Sequence, residues 1–388
     1  MANTLISYNG ADAYYNNDNT SAPFLKTAAS NIYLNADCSN MFFNCRNLSN
    51  ASFGNFINNF KMDFVKNCAE MFAYAFNFNQ PINIPENVNN CSYMFYGAIK
   101  LNQPININAN EADFSYMFAS CTALNQNIII PPNGTNYAYM FYACSGLNQN
   151  IIIPTTNNIT GMFHTCITLD QNIQIPVGVQ ILSSVFRGCY NLNQNIQIPV
   201  GATACDGMFE ECFNFNQNTL IPNSVNTCAF MFDGCKNLNQ NIQMPNSAIN
   251  CAGMFRNCPN LNQNIQIPNG VENCYSMFSE TPTLDAFTMY IPASVNDARY
   301  MFSQKNNFRA WIYINKSTAT RNFVGFVNNR TTGAAGYLMI YCNYATSALL
   351  RGTAPNNSIT GSAISWSTSG SYYYNASMMI RIYYNYNG

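Results

Sequence analysis

The chain repeats one pattern of apolar and polar positions about every 23 residues. A Met-Phe dipeptide marks each copy, and Val185-Phe186 fills the one gap in the regular series. The regular copies begin at residues 71, 94, 117, 140, 162, 208, 231, 254 and 277, and divergent copies begin at residues 41 and 301. Such regularity predicts a repeat solenoid of about twelve units, in which each unit is too small to fold alone and stacks on its neighbours.

Within a unit, the apolar residues follow first one spacing and then another. From Cys228 to Leu238 the apolar residues fall at i, i+3, i+4, i+7 and i+10, which predicts one face of a helical turn or two. The period then changes to two, with Ile242 and Met244 inward, which is typical of a short strand. Pro245 should end that strand because proline has no N–H for the next ladder bond.

These residues carry a family resemblance. The pattern Cys-x-x-Leu, then Ile-x-Ile-Pro-x-x-Val, with an aromatic residue three positions before the Cys, resembles the BspA-like leucine-rich repeats. The variant Met-Phe-x-x-Cys-x-x-Leu-Asn-Gln is similar to surface-protein repeats of low-GC bacteria, mycoplasmas and their phages. The resemblance covers roughly residues 38–302. It implies a leucine-rich-repeat-like solenoid with a parallel β-sheet on one face, and an adhesive or surface-displayed protein without shared catalytic residues.

Three segments are expected. Residues 1–36 lack the repeat and should form an N-terminal cap or attachment segment, residues 37–302 the solenoid, and residues 303–388 a small β-rich C-terminal domain. In the last segment, strand-like runs alternate with Gly, Ser and Asn turns. The predicted strands are Trp311–Ile314, Gly336–Cys342, Ala363–Trp366 and Met379–Tyr384.

Fifteen of the 16 cysteines lie in the array and occupy two columns, a column being one position of the repeat followed from unit to unit. Other units place Ala75, Phe114 or Ile159 at these positions, so we interpret both columns as apolar core. Buried free thiols, acting as small hydrophobic groups, are the favoured interpretation. Occasional disulfides and a metal site are the lesser alternatives, and free thiols fit assembly in a reducing compartment.

Composition argues against several classes of function. Only 9% of residues are charged and the net charge is −1, whereas a nucleic-acid binder needs a basic face. No apolar run reaches the roughly 18 residues of a membrane span, and residues 1–16 do not look like a secretory leader. The single histidine, His164, stands in a variable column and should lie on the surface. We therefore expect no enzyme, metal or cofactor.

Two surface features are candidates for binding. Five tyrosines adjoin the Met-Phe dipeptides and should form one exposed patch; they are Tyr93, Tyr96, Tyr116, Tyr139 and Tyr142. Ile129 and Ile152 interrupt an outward strand column of amides that could bind a glycan or a protein edge. The alternatives are packing of the tyrosines under a loop and an amide ladder that satisfies itself. The first Asn of the recurrent Asn-Gln pair should join neighbouring units.

The first functional hypothesis is a non-enzymatic structural or adhesive component of a phage virion, such as a fibre, receptor-binding or head-decoration protein. Its partners would be other virion proteins and a host surface glycan or protein, within a larger oligomeric assembly. The alternative is a BspA-like adhesin on a bacterial or protist cell surface. An enzyme acting on polysaccharide is a remote third class.

Overall fold

The computed structural model describes residues 32–46, 48, 60–284, 287–303 and 309–314, and the backbone of the terminal strands given below. The chain forms two compact units, Met1–Leu192 and Asn193–Gly388. In each unit, one repeat makes one coil, and equivalent residues of successive coils lie side by side.

The strands described in the first unit form three two-stranded sheets. One pair is antiparallel and the other two are parallel. The pairs are β1 (Thr4–Leu5) with β2 (Tyr14–Tyr15), β3 (Ile32–Tyr33) with β4 (Phe60–Lys61), and β5 (Ile82–Ile84) with β6 (Ile105–Ile107).

The second unit contains a five-stranded sheet in the order β10-β11-β9-β8-β7. Its strands are β7 (Phe287–Ile291), β8 (Arg309–Ile314), β9 (Gly336–Cys342), β10 (Ser371–Asn375) and β11 (Met378–Tyr384). All neighbours are parallel except β10 and β11. Three predicted C-terminal strands are thus confirmed, while Ala363–Trp366 lies outside the described residues.

The array and the C-terminal strands share this sheet. Phe287 of β7 pairs with Ala310 of β8, so the sheet crosses the predicted boundary between residues 302 and 303. A separate C-terminal domain stays a prediction.

The extended segments of most coils are not regular strands. Ile242 and Met244 are buried and Gln243 is exposed, as the alternation predicts, but the segment is not assigned to a strand. Between residues 60 and 284, strands occupy only β4, β5 and β6. The expected parallel sheet on one face is therefore present as separate strand pairs such as β5 with β6, and in the other coils of residues 60–284 burial alternates without an assigned strand.

The inter-coil backbone ladder lies instead where helical turns were predicted, and the described residues contain no helix. The N–H groups of Cys68 and Phe72 donate to the carbonyls of Asn90 and Met94 in the next coil, each at 2.8 Å. The intervening N–H of Met71 donates within its own coil, to the Cys68 carbonyl three residues back. The pattern recurs in both units. We call this stretch, residues 68–75 and their equivalents, the turn ladder.

The turn ladder requires positive φ at two columns, the residue before Met and the residue three after it. In one coil these are Glu70, with φ 55°, and Tyr74, with φ 59°. A residue with a side chain loses about 1–2 kcal/mol in this conformation. Glycine recurs in both columns, as at Gly97 and Gly161, and that recurrence is the sequence signal from which a turn rather than a helix could have been predicted.

The core is a stack of phenylalanine rings beneath the turn ladder. Successive rings lie 5.3–5.8 Å apart between centroids, with planes 2–12° from parallel, and all are buried. The stack comprises Phe42, Phe72, Phe95, Phe118, Phe141, Phe163 and Phe186 in the first unit, and Phe209, Phe232, Phe255, Phe278 and Phe302 in the second.

All fifteen array cysteines are buried free thiols, as predicted. The second cysteine column also makes a specific contact: the Cys144 thiol donates to the Phe118 carbonyl of the preceding coil, with sulfur and oxygen 2.9 Å apart. The Thr281 hydroxyl replaces a thiol in this column and donates to the Phe255 carbonyl at 2.8 Å. Burial raises the pKa of the Cys45 thiol to about 12, so the reactive thiolate is suppressed.

An amide ladder joins the coils at the Asn-Gln pairs, as the sequence indicated. The Asn125 side-chain oxygen accepts from the backbone N–H of Asn148 at 2.9 Å and from the Gln149 side-chain nitrogen at 3.1 Å. The same pattern joins other coils within each unit.

Replacing Asn125 tests this ladder. We expect Asn125→Ala to lower the free energy of unfolding by about 1 kcal/mol, because it removes the acceptor of two inter-coil hydrogen bonds. Asn125→Asp keeps an acceptor oxygen, as Asp170 does naturally in that column, and should retain most of the stability. Urea unfolding followed by circular dichroism measures both. Equal losses in the two variants would contradict the assignment.

One core column contains an unsatisfied hydroxyl. Thr219 is buried where neighbouring coils have Ile196 and Ile242, and its hydroxyl oxygen has no hydrogen-bond partner among the described residues. We expect Thr219→Val to raise the free energy of unfolding by about 1 kcal/mol, because it removes a buried unpaired polar group.

The matched control is Thr281→Val, which removes the hydroxyl bonded to the Phe255 carbonyl. This variant should lose about 1 kcal/mol. Thermal and urea unfolding measure both changes, and the same sign for the two substitutions would show that the hydrogen-bond assignment is wrong.

Candidate functional site

The predicted tyrosines share the outer surface of the turn ladder in the first unit. The rings of Tyr93 and Tyr116 stack with centroids 4.7 Å apart and planes 6° from parallel, and those of Tyr116 and Tyr139 with centroids 4.9 Å apart and planes 12° from parallel. All three residues precede Met in successive coils and have positive φ. The repeat therefore builds a ladder of these three rings, here called the tyrosine ladder.

Tyr96 and Tyr142 flank this ladder. Tyr96 lies 5.7 Å from Tyr93, and Tyr142 lies 6.1 Å from Tyr139, both measured between ring centroids. All five tyrosines are half-buried, since each ring covers part of its neighbour. The structure thus brings the five predicted residues together on one surface.

The tyrosine ladder ends differently at its two ends. At one end the Tyr139 ring covers Gly161 of the next coil, where a Cβ atom would lie 2.2 Å from the ring. At the other end the same column contains Glu70, which has no ring to stack on Tyr93. The ladder is therefore covered by the backbone of Gly161 at the Tyr139 end and is open at the Tyr93 end.

A hollow of about 230 Å³ lies at the open end, lined by Glu70, Ala73, Tyr74, Tyr93 and Tyr96. We call it the tyrosine hollow. Tyr74, which is 37% exposed, meets Tyr96 edge to face, with centroids 5.2 Å apart and planes 74° apart. Burial is the main cause that raises the pKa of Tyr93, and the Glu70 carboxylate adds to it.

Sequence reasoning missed Glu70 and Tyr74. Tyr74 stands three residues after Met, in the second positive-φ column, so only recognition of the turn ladder would have placed it beside Tyr96.

His164 is less exposed than predicted. It is half-buried and extends the aromatic surface, with its ring 5.1 Å from Tyr142 and 6.2 Å from Tyr139. Its Nδ1 atom is buried and has no hydrogen-bond partner among the described residues. Burial, assisted by the charge of Arg187, lowers the pKa of His164 to about 4, so the ring is neutral at pH 7. The thiol of Cys166 donates to the Phe141 carbonyl, away from any nucleophilic pairing.

Ile129 and Ile152 belong to a different surface. They are 78% and 80% exposed and lie in the extended segments, and no contact described in the structure joins them to the tyrosines. Ile129 borders a groove of about 390 Å³ together with Pro104 and several amides. In this groove the Asn106 side-chain nitrogen donates to the Asn83 side-chain oxygen at 2.7 Å, so one hydrogen bond joins the two amides. The predicted residues therefore divide between two surfaces.

In the second unit, two arginines of the chain itself lie over aromatic rings. The Arg256 guanidinium carbon lies 5.1 Å from the centre of the Phe230 ring, and Arg256 Nε donates to Asp233 at 2.9 Å. Arg299 lies over Tyr275 of the preceding coil, at 5.3 Å, and forms an ion pair with Asp297 of its own coil. Burial raises the pKa of Asp233, against the opposing effect of Arg256.

Within the described parts of the chain, no cluster of His, Cys, Asp and Glu is suited to a metal ion. Over the same residues, no helix has the length and apolar character needed to cross a membrane.

The coils and columns define a tandem-repeat solenoid protein. Five overlapping matches to one family, described as "Mycoplasma protein of unknown function, DUF285", cover residues 16–130, 85–176, 135–243, 157–266 and 203–315. The chain belongs to this DUF285 family. The tandem matches support the BspA-like resemblance at the coarse level of a repeat family.

Three solved structures are similar to the chain. A leucine-rich repeat protein from Bacteroides ovatus is 17% identical, with a TM-score of 0.44, over 78% of this chain and 88% of that one. The pneumococcal vaccine antigen PcpA is 12% identical, with a TM-score of 0.45, over 78% and 71%. A leucine-rich cell surface protein from Faecalibacterium prausnitzii is 15% identical, with a TM-score of 0.43, over 93% and 99%. No curated protein matches the chain.

Replacing Gly161 tests the closed end of the tyrosine ladder. Gly161→Ala should lower the free energy of unfolding by about 1–3 kcal/mol more than Gly234→Ala, because the new methyl group would displace the Tyr139 ring. Gly234 has a similar φ, 72° against 60°, but a Cβ atom there would meet only Glu211, at 3.5 Å. Near-ultraviolet circular dichroism should show altered tyrosine packing in Gly161→Ala alone. Equal effects would mean that backbone strain, not the ring, makes glycine necessary.

Proposed function

We propose that the chain is a non-enzymatic, surface-displayed repeat protein that binds a partner through the aromatic turn surface of its first unit. The single observation that carries the proposal is the contiguous, half-exposed cluster of Tyr93, Tyr96, Tyr116, Tyr139 and Tyr142. Tyrosine offers a large apolar ring with a polar tip, and it is enriched at protein interfaces.

Preorganisation supports this surface as a binding site. Stacking holds the rings of the tyrosine ladder in one arrangement before any partner arrives. A rigid ring loses little conformational freedom on binding, so more of the contact energy remains as affinity. The groove beside Ile129 is the weaker candidate because its described lining contains no aromatic ring, and one of its amide oxygens, that of Asn83, already accepts from Asn106.

We further propose that the chain acts at a cell surface, as the BspA-like resemblance implies. The free thiols lent the virion hypothesis weight, because they suggested a reducing compartment. The environment of the thiols weakens that argument: burial raises the pKa of Cys38 and Cys45 to about 12, which suppresses the reactive thiolate, so free thiols here do not require a reducing compartment.

The binding test uses the full chain on an array of extracellular proteins and glycans. Tyr96→Ser combined with Tyr142→Ser should weaken binding by about tenfold or more, equivalent to about 1.4 kcal/mol, with an almost unchanged melting temperature. Ile129→Ser combined with Ile152→Ser is the matched control and should bind as the wild type does. Loss of binding in the isoleucine variant alone would overturn the assignment, and so would absence of binding by the wild type.

A second experiment tests location. Protease treatment of intact cells of the producing organism should release peptides of this chain into the medium, as mass spectrometry would detect. Recovery of the chain only with purified virus particles would overturn the cell-surface proposal and favour the virion hypothesis.

A further inference from the structure

The tyrosine hollow combines three aromatic rings with one carboxylate. Tyr74 and Tyr96 are nearly perpendicular, at 74°, and Tyr93 is tilted by 52° from Tyr96, so the rings bound the space from different directions. Glu70 lines the same space. The faces of aromatic rings are electron-rich and attract cations, and a carboxylate beside them adds an opposite charge.

The carboxylate of Glu70 is available to a ligand. Among the described residues it takes part in no ion pair and no side-chain hydrogen bond, whereas Asp233 and Asp297 on the turn surface of the second unit each pair with an arginine. No described Lys or Arg lies over the rings of Tyr74, Tyr93 or Tyr96. Residues 47–59, which precede this coil, contain no Lys or Arg in their sequence.

The second unit shows what this surface accommodates. At Phe230, and again at Tyr275, an arginine guanidinium of the chain itself lies over the ring and bonds to a nearby carboxylate. At Phe230 the ring and the carboxylate of Asp233 belong to the turn ladder, as Tyr93 and Glu70 do in the tyrosine hollow. The hollow therefore offers the same chemistry without the cation.

Size further restricts the ligand. Pockets for drug-sized ligands occupy roughly 300–1,000 Å³, and the tyrosine hollow, at about 230 Å³, is smaller. It suits the end of one side chain. A guanidinium is planar, stacks on aromatic faces and bonds a carboxylate through two N–H groups, whereas an ammonium is a compact, strongly hydrated charge.

We propose that the tyrosine hollow, with Glu70 as its carboxylate, binds the guanidinium of an arginine side chain on a partner protein. This inference rests on the proposed function, since it names the chemistry that the aromatic turn surface recognises. Glu70 forms the ion pair, and Tyr74, Tyr93 and Tyr96 enclose the cation.

The test titrates the full chain with Nα-acetyl-arginine amide, followed by saturation-transfer NMR. The control probes are Nα-acetyl-citrulline amide, a neutral analogue of similar shape, and Nα-acetyl-lysine amide. The arginine probe should bind at least about tenfold more tightly than either control, which corresponds to about 1.4 kcal/mol. Added salt should weaken that binding because the pair is solvent-accessible.

Two matched variants locate the binding. Glu70→Gln keeps the shape of the side chain and should weaken binding of the arginine probe by about tenfold. Glu86→Gln makes the same change at an exposed carboxylate outside the hollow and should leave binding unchanged. Both chains should melt at the temperature of the wild type, so that lost binding reports the site and not unfolding.

Several results would overturn the inference. Equal binding of the arginine and citrulline probes would exclude recognition of charge, and equal binding of the lysine probe would exclude selection of a guanidinium. An unaffected Glu70→Gln variant would exclude the hollow. Absence of arginine binding would also overturn the inference, yet the array experiment with the Tyr96 and Tyr142 variant would still test the proposed function independently.

Discussion

The division of backbone hydrogen bonds within the turn ladder is the constraint on which the remaining structure depends. Alternate N–H groups, such as those of Cys68 and Phe72, cross to the next coil, and those between them close four-residue turns. One short stretch thereby satisfies its own backbone and joins its neighbour, without a helix and without a continuous sheet. The cost is positive φ at two columns in every coil, including at residues with large side chains such as Tyr74 and Tyr93.

Register follows from this division. Because each coil bonds the next at fixed positions, equivalent residues lie directly beside one another. The same alignment stacks the phenylalanine rings of the core, joins the Asn125 and Asn148 amides, and brings the Cys144 thiol to the Phe118 carbonyl. Three chemically different ladders, aromatic, amide and thiol, thus result from one backbone arrangement.

The outer face obeys the same rule, and its chemistry differs between the two units. In the first, three consecutive tyrosines stack and Glu70 ends the series with an open hollow. In the second, Arg256 and Arg299 cover single aromatic rings and bind their own carboxylates. No described cation of the chain lies over Tyr93, Tyr116 or Tyr139, and this half-exposed aromatic surface makes the first unit the candidate for binding.

The sequence by itself determined the repeat, the buried columns, the free thiols and the grouping of the five tyrosines. A constant spacing of about 23 residues places equivalent residues of successive units side by side in any in-register stack. It did not determine the backbone. An apolar spacing of i, i+3, i+4 and i+7 is compatible with a helix and with a series of four-residue turns. The hydrogen bonds between coils, which only the tertiary structure shows, favour the turns. The hollow beside Tyr93 likewise needed the structure, since Glu70 and Tyr74 meet Tyr96 only through the geometry of adjacent coils. Ile129 differs from these residues, because the alternation of apolar and polar positions had already placed it in an outward column apart from the tyrosines.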